Sequence, residues 1–393
     1  MIKNRNIKHS LSTRKMRFDL FKTCFFSFTI LSFTVVNTFP QVNPVLKDVF
    51  KDYFMIGAAL NQAQSSGKDM FSVNLVKKHF NTVTPENILK WESVHPEPEK
   101  YNFEPADTFV DFGKKNNLFI VGHTLIWHNQ TPKRVFEDEQ GNPVDRETLL
   151  NRMRSHIHTV IGRYKGRING WDVVNEALDE DGTLRQSQWL EIIGDDYLIK
   201  AFEFAHEADP DAELYYNDYS LENEPKRNGA IKLIKKLLAE GVKIDGVGLQ
   251  GHYKMDWPTT SQLDSTIKAF AALGIKIMIT ELDVDVLPYD WQNHGADITL
   301  NIELQEKLNP YKNGLPDSVQ QSLAKRYASL FDVLTNNNET VSRVTFWGVS
   351  DKDSWLNNWP VRGRMNYPLL FDRNGEPKPA FEAVIKEADK QNY

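Results

Sequence analysis

The chain has 393 residues, of which 40% are hydrophobic and 11% aromatic, and this composition excludes a disordered chain, a collagen-like chain and a small disulfide-stabilised protein. The formal net charge is −6, but residues 1–22 hold seven Lys/Arg and one acid, which leaves 40 basic and 52 acidic residues, a balance of −12, in the rest of the chain. An acidic body without a basic stripe argues against nucleic acid or an anionic membrane as the partner.

The basic N-terminal stretch is followed by a mainly apolar run over residues 24–36. This run is too short for a membrane span and fits the hydrophobic part of a secretory signal. We therefore expect residues 1–40 to be a signal peptide or leader, and the protein to be secreted, periplasmic or at the cell surface. A retained anchor is the alternative, because no small-x-small cleavage site is evident near residues 37–41. The only cysteine, Cys24, lies in this leader, so the mature protein can form no internal disulfide.

From about Val45 onward, short β-rich runs alternate with helical patterns, and many of the runs are continuously apolar, as strands buried on both faces are. Eight such units without a Pro/Ser-rich linker predict an α/β protein, a single (β/α)8 TIM barrel over residues 41–393. The predicted strands are Phe54–Leu60, Phe80–Thr84, Leu118–Thr124, Gly170–Asn175, Glu213–Asn217, Gly246–Gln250, Lys276–Thr280 and Val344–Trp347.

In such a barrel the active site lies at the C-terminal ends of the strands. Carboxylates, amides, imidazoles and indoles recur at these ends, a mixture that suits hydrogen bonds to sugar hydroxyls and stacking on sugar rings. Glu176 and Glu281 stand out, because each directly follows a buried run. Glycoside hydrolysis needs such a pair of carboxylates, at about 5–5.5 Å for retention of configuration or roughly 6.5–9.5 Å for inversion, and the sequence leaves that separation open.

The strand-end motifs resemble glycoside hydrolase family 10, the endo-β-1,4-xylanases, over about Asp48–Lys386. Five motifs occur in the family's order, namely ENILKW at 86–91, GHTLIWH at 122–128, WDVVNE at 171–176, ITELD at 279–283 and WGVSDKDSW at 347–355. The resemblance implies an endo-1,4-β-xylanase that cleaves internal bonds of xylan with retention, by double displacement through a covalent xylosyl-enzyme. It also implies xylan and xylo-oligosaccharides as substrates, and we expect the protein to be a monomer.

The resemblance assigns a role to each matching position. Glu176 would be the general acid/base and Glu281 the nucleophile, with His252 and Asp283 orienting Glu281. Asn175 would bind the 2-hydroxyl of the cleaved sugar, and Trp347 and Trp355 would crowd the space of a glucose hydroxymethyl group. The substrate-binding residues would be Glu86, Asn87, Lys90, His123, Trp127, Gln130, Asn175, Tyr219, Gln250, Trp347 and Trp355.

Other conspicuous residues have a structural interpretation. Trp171 is expected in the core, Asp172 in a structural hydrogen bond, His128 as support for its loop, and His156 and His158 as packing or surface residues. Asp353 stands where many relatives carry a bulky aromatic side chain, and an extended eighth loop at 356–363 departs from the usual pattern. We expect the outer sugar subsites to be shaped by Trp359 and Arg362, together with Tyr289 and Trp291 of the long insertion Val286–Pro316.

Residues 246–251 (GVGLQG) match the dinucleotide-binding fingerprint, but the residues that follow are a poor helix start, so close packing of a barrel strand explains the glycines better. We expect no cofactor and no catalytic metal, and a structural calcium ion stays open. Two alternatives remain, a cellulase or mixed-linkage glucanase on the same scaffold, and a non-catalytic xylan-binding barrel. The presence of both glutamates disfavours the second.

Overall fold

The computed structural model describes residues 44–288, 307–360 and 362–390. The leader 1–40 and the side chains of Tyr289 and Trp291 lie outside these residues. Within them, the strands are β1 (Met55–Leu60), β2 (Thr82–Pro85), β3 (Phe119–Trp127), β4 (Gly170–Asn175), β5 (Glu213–Asp218), β6 (Gly246–Leu249), β7 (His252–Lys254), β8 (Lys276–Asp285) and β9 (Val341–Phe346).

Eight of these strands form a closed parallel barrel, and the predicted (β/α)8 TIM barrel is therefore confirmed. The order is β6-β5-β4-β3-β2-β1-β9-β8, and β6 pairs with β8 to complete the ring. The described α-helices are α1 (Leu46–Val49), α2 (Gln62–Ser65), α3 (Met70–His79), α4 (Trp91–Val94), α5 (Glu104–Lys115), α6 (Arg146–Tyr164), α7 (Gln188–Ile193), α8 (Tyr197–Ala208), α9 (Glu224–Ala239), α10 (Thr260–Ala271), α11 (Asp317–Asn336) and α12 (Pro379–Lys390).

The helices begin and pack as their sequences indicate. Thr259 caps α10 through a capping box with Gln262, so that the side chain of each residue bonds the backbone N–H of the other. Leu263, Ile267 and Phe270 of this helix are fully buried against the barrel. Among the described residues, no helix is both long and apolar enough to cross a membrane.

Towards its N-terminal end the barrel interior holds a small apolar cluster with the buried guanidinium of Arg343 packed against it, and towards its C-terminal end it is lined by polar residues. Val121, Tyr215 and Met278 form a separate small apolar cluster, distinct from the large core of the protein. Buried polar residues of the same strands, such as Asn217 and Thr280, follow in the C-terminal direction. Asn217 and Thr280 thus place hydrogen-bonding groups near the C-terminal mouth of the barrel.

Two strands extend further than the sequence predicts. We expected strands at Leu118–Thr124 and Lys276–Thr280, whereas β3 continues to Trp127 and β8 to Asp285. The continuation of β8 is paired by the short strand β7, in which His252 is the register partner of Asp283. Glu281 and Asp283 thus lie inside a strand, whose rigidity fixes the direction of their side chains.

Candidate active site

Glu176 and Glu281 are held at the C-terminal mouth by different local structures. Glu176 directly follows β4 with a left-handed backbone (φ 57°), which is unusual for a non-glycine residue, and its N–H donates to the carbonyl of Asn217 at 2.9 Å. Glu281 lies within β8, and its N–H donates to the carbonyl of Gln250 at 2.6 Å. Each glutamate is therefore fixed by the backbone of a neighbouring barrel segment.

Glu281 is buried, with 5% of its surface exposed, and two donors face its carboxylate. Asn217 Nδ2 lies 2.8 Å from Oε1, and His252 Nε2 lies 3.2 Å from Oε2. Burial raises the pKa of Glu281, but the hydrogen bond from His252, the electrostatic interactions with His123 and His252 and the hydrogen bond from Asn217 outweigh it, so the pKa lies below its ordinary value. The arrangement favours an ionised carboxylate.

His252 is held between two carboxylates. Its Nδ1 lies 3.1 Å from Asp283 Oδ1, on the side opposite to its contact with Glu281. Burial lowers the pKa of His252, but the Asp283 charge and the hydrogen bonds to Asp283 and Glu281 raise it overall to about 10. The imidazole is thus protonated at neutral pH, and both ring nitrogens donate. Trp355 Nε1 donates to the other Asp283 oxygen at 2.8 Å and fixes the orientation of that carboxylate.

Three side-chain donors surround the carboxylate of Glu176. Trp127 Nε1 donates to Oε2 at 2.8 Å, while Gln250 Nε2 and Asn175 Nδ2 contact Oε1 at 2.9 and 3.3 Å. Gln250 and Asn175 are themselves buried and bonded to each other at 3.3 Å. Three predicted site residues, Trp127, Gln250 and Asn175, therefore surround the carboxylate of Glu176.

Asn217 connects the two glutamates, and the sequence analysis did not single it out. Its Nδ2 contacts Glu281 Oε1 at 2.8 Å and Asn175 Oδ1 at 2.9 Å, while its Oδ1 accepts from Thr280 Oγ1 at 2.6 Å. A signal was present, because Asn217 occupies the end of the predicted fifth strand. Its register partner on β4 is Asn175, the residue before Glu176.

Gly248→Ala is expected to damage the site without touching either glutamate, because a Cβ at this position would overlap Asn217 Oδ1. The Asn217 side chain would have to move away from Glu281. We expect hydrolytic kcat to fall about 10-fold or more, as small misplacements of catalytic groups do. The control is Gly162→Ala in α6, where a Cβ meets nothing within 4 Å. Equal kcat values for the two variants would contradict the role of Asn217.

A second group of predicted residues lies after β2 and β3. Lys90 is buried, and its Nζ donates to Asn87 Oδ1 at 2.9 Å and lies 4.9 Å from the centre of the Trp127 ring. Burial lowers the pKa of Lys90, against the opposing charges of Glu281, Glu86 and Glu176. Burial raises the pKa of Glu86, although Lys90 and Asn87 oppose the shift. This group contributes a lysine whose charge interacts with both glutamates of the pair.

His123 and the two tryptophans of the eighth loop line the same mouth. His123 is buried, and its Nδ1 lies 2.9 Å from Asp172 Oδ2, so the structural hydrogen bond expected of Asp172 is one that holds His123. The Trp347 ring lies edge-on to His123 at 5.4 Å, and the Trp355 ring lies 5.0 Å from His252. These contacts connect the eighth loop to the surroundings of Glu281.

Two predicted substrate-binding residues, Tyr219 and Gln130, contact protein groups other than the glutamate pair. The Tyr219 hydroxyl accepts from Arg185 Nη2 at 2.8 Å, and the ammonium of Lys226 lies 3.3 Å from the centre of its ring. Gln130 donates to Glu92 Oε1 at 3.0 Å. Tyr219 and Gln130 therefore lie at the borders of the cluster, and none of the hydrogen bonds described here joins either side chain to the glutamate pair.

Trp171, His156 and His158, which we expect to have structural rather than functional positions, lie in the core or at the surface. Trp171 is fully buried and covers Gly122, where a Cβ would overlap its ring. His156 is fully buried and stacks on Trp91 at 3.6 Å, whereas His158, half-exposed, contacts Glu207 at 3.2 Å. The two histidines thus point to different faces of α6, as their spacing indicates.

The dinucleotide-like glycines belong to the barrel. Gly251 is followed by strand β7 and not by a helix, and a Cβ on Gly246 would lie 2.8 Å from the carbonyl of Lys276. Close approach of neighbouring strands thus explains these glycines. In residues 44–288, 307–360 and 362–390, no three His, Cys, Asp or Glu side chains are grouped so that they could hold a metal ion.

Known proteins resemble this chain over most of its length. The model of glycosyl hydrolase family 10 matches residues 45–387. An endo-1,4-beta-xylanase A of Xylanibacter ruminicola is 46% identical over 346 residues, which cover 88% of this chain and 94% of that protein. A thermostable celloxylanase of Thermoclostridium stercorarium is 41% identical, over 87% of each chain. The solved structure of a GH10 endoxylanase from a sugarcane soil metagenome has a TM-score of 0.82 and 43% identity, over 88% of this chain and all of that one. The chain therefore belongs to glycosyl hydrolase family 10.

Proposed function

We propose that this glycoside hydrolase is an endo-1,4-β-xylanase that retains the anomeric configuration, with Glu281 as nucleophile and Glu176 as general acid/base. The observation that carries the proposal is the amide bridge through Asn217 and Asn175, which joins a carboxylate kept ionised to a second carboxylate at the same mouth. Retention requires two carboxyl groups about 5–5.5 Å apart, and the family to which the chain belongs supports this mechanism. The names of the relatives support xylan as the substrate.

In the first step, Glu281 attacks the anomeric carbon while Glu176 donates its proton to the departing glycosidic oxygen. The C1–O bond breaks, and an ester forms between Glu281 and the sugar. In the second step, Glu176 takes a proton from water, the water oxygen bonds to C1, and the ester bond breaks to release Glu281 as carboxylate. His252 and Asn217 bind the carboxylate that is consumed and regenerated, so its orientation is kept through both steps.

Binding of the sugar is assigned to the side chains around this pair. We propose that Asn175 binds the 2-hydroxyl of the sugar whose bond is cleaved, since its amide lies between Glu176 and Asn217. Trp347 and Trp355 pack near His252 and would oppose a hydroxymethyl group, which xylose lacks. Lys90 and His123 would bind hydroxyls on the same side of the scissile bond.

The test is to incubate the purified protein with xylan and with cellulose, and to compare kcat/KM for an aryl xylobioside and an aryl cellobioside. We expect xylo-oligosaccharide products, a preference for the xylobioside, and an initial β-anomer by NMR. A clear cellobioside preference would favour the glucanase alternative, which the celloxylanase relative makes worth testing. An initial α-anomer would exclude retention, and binding of xylan without cleavage would identify a non-catalytic barrel.

His252→Asn is expected to move the acidic limb of the kcat/KM profile to higher pH. The variant removes the imidazolium that holds the pKa of Glu281 down, and burial, which raises this pKa, then dominates. A shift of about 1 pH unit or more is expected from the loss of a bonded opposite charge. His158→Asn, which changes a half-exposed histidine paired with Glu207, is the control and should leave the limb in place. An unmoved limb in His252→Asn would contradict the assignment of Glu281.

We also propose that residues 1–40 direct export and that the enzyme acts as a monomer. The basic stretch and the apolar run of the leader support export. Size-exclusion chromatography with light scattering and N-terminal sequencing of the exported protein would test both points.

A further inference from the structure

Arg185 contacts the main chain of Glu176 and is not used by the mechanism above. It ends a short hairpin over residues 177–185, which follows β4. The hairpin turns at Gly182, whose left-handed backbone (φ 83°) is one that glycine adopts without strain. The N–H of Arg185 donates to the carbonyl of Ala177 at 2.8 Å. The hairpin therefore returns the chain to the residue that directly follows Glu176.

The guanidinium of Arg185 donates to three oxygen atoms from two segments of the chain. Its Nε donates to the main-chain carbonyl of Glu176 at 3.0 Å, and its Nη2 donates to the carbonyl of Leu178 at 3.0 Å and to the Tyr219 hydroxyl at 2.8 Å. Its Nη1 forms an ion pair with Asp179 at 3.2 Å. Because a guanidinium is planar and presents its donors in a rigid fork, this one side chain fixes the relative positions of the oxygens that it binds.

The main chain of Glu176 is thereby held on both sides. Its N–H donates to the carbonyl of Asn217 at 2.9 Å, and its own carbonyl accepts from Arg185. These two bonds orient the planar peptide groups before and after Glu176, and those orientations set the two dihedral angles of the residue between them. A φ of 57° is disfavoured for a residue with a Cβ and persists where the surroundings impose it. The same dihedrals set the direction in which the carboxyl group extends.

The other end of this connection, Tyr219, is itself firmly held. Its N–H donates to Asp218 Oδ1 at 2.9 Å, and the ammonium of Lys226 lies 3.3 Å from the centre of its ring. Asp218 and Lys226 are fully buried and form an ion pair at 3.1 Å. Arg185 thus connects Glu176 to a well-packed segment at the end of β5, the strand whose Asn217 also binds the N–H of Glu176.

On the basis of the proposed xylanase function, we propose that Arg185 is a positioning residue for the general acid/base. Trp127, Gln250 and Asn175 contact the carboxyl group of Glu176, whereas Arg185 holds the main chain from which that group extends. Proton transfer to the departing oxygen requires the carboxyl group at one place, and so does activation of water in the second step. Attack by Glu281 does not require it.

The test compares substrates that differ in their need for the proton of Glu176. We expect Arg185→Gln to lower kcat/KM for xylan and for phenyl xylobioside about 10–100-fold, because small misplacements of a catalytic group cost this much. For a dinitrophenyl xylobioside, whose leaving group departs without protonation, kcat/KM should change less than about 3-fold. Its kcat and KM should fall together, because the misplaced carboxylate activates water poorly and the glycosyl-enzyme accumulates.

Arg185→Lys is the conservative variant. It keeps the positive charge, but a single ammonium cannot replace the fork that binds the Glu176 carbonyl and the Tyr219 hydroxyl together. We expect the same preference for the dinitrophenyl substrate with a smaller loss on phenyl xylobioside. Retained activity on the dinitrophenyl substrate also reports that each variant is folded.

Arg152→Gln is the matched control, because Arg152 also uses its guanidinium to hold the main chain. Its Nη1 donates to the carbonyls of Arg134, Val135 and Glu137 at 2.9, 2.9 and 3.0 Å, and none of these residues contacts Glu176 in the hydrogen bonds described above. A purely structural loss should affect both aryl substrates alike. We therefore expect the ratio of their kcat/KM values in Arg152→Gln to equal that of the wild type.

The outcomes separate this inference from the proposed function. A wild type that cleaves no aryl xylobioside, or a Glu176→Ala variant that loses both aryl substrates equally, would overturn the proposed function and this inference with it. If Glu176→Ala is selective but Arg185→Gln lowers both substrates equally, or lowers neither, Arg185 supports only the fold and the inference alone is overturned. If Arg185→Gln does not fold, the ratio measured for Arg185→Lys decides in the same way.

Discussion

Glu281→Ala is expected to lose nearly all hydrolysis of xylan and of aryl xylobiosides, about 10⁴-fold or more in kcat, because no covalent intermediate can form. Added azide should restore aryl release and yield the α-glycosyl azide. The reason lies in the groups that remain. Protonated His252 and the amide of Asn217 would still face the vacated space, and a small anion can bind both. Azide then attacks the anomeric carbon from the side on which Glu281 stood.

The measurement is the rate of aryl release with and without azide, together with the NMR assignment of the product. Glu191→Ala, a change at an exposed glutamate of α7, is the control and should hydrolyse at the wild-type rate with no azide product. A β-azide from Glu281→Ala, or no rescue at any azide concentration, would remove this residue from the role of nucleophile.

Glu176→Ala is expected to separate substrates by their leaving groups. Xylan needs a proton on the departing oxygen, and its kcat/KM should fall about 10²–10⁴-fold, the usual contribution of a general acid. A dinitrophenyl xylobioside leaves without protonation, so formation of the glycosyl-enzyme should be nearly unaffected and kcat/KM largely kept. Because water is then poorly activated, the intermediate should accumulate, and kcat and KM should fall together.

Azide distinguishes this variant from Glu281→Ala. In Glu176→Ala it attacks the accumulated glycosyl ester and yields the β-glycosyl azide. A pre-steady-state burst of dinitrophenolate should accompany the low kcat. The same Glu191→Ala variant serves as the control. Equal losses of kcat/KM for xylan and for the dinitrophenyl substrate would show that Glu176 does not act as the acid.

The barrel and both glutamates could be predicted because the relevant signals are local. Many of the strands are short, mainly apolar runs that are buried on both faces, and Glu176 and Glu281 directly follow such runs in the sequence. The length of β8 could not be predicted in this way. Its last residues are paired by β7, a partner about 30 residues away, and such pairing leaves no mark on the composition of either segment.

The hydrogen bonds that support the two glutamates could not be predicted either, because they join residues that are distant in the sequence. Asn217 contacts Glu281, 64 residues later, and Asn175, 42 residues earlier, and only the closed ring brings the three together. The position of Tyr219 depends on Arg185 and Lys226, and no motif or spacing in the sequence connects these two residues with it.

Closure of the ring also bears on what happens to an incomplete chain. β1 lies between β2 and β9, and β8 lies between β6 and β9, so the last strand completes the pairing of the first. A polypeptide truncated before Val341 would present two unpaired strand edges at once, and such edges invite association with other chains. We therefore expect a chain that lacks β9 and everything after it to aggregate and not to act as a smaller working enzyme.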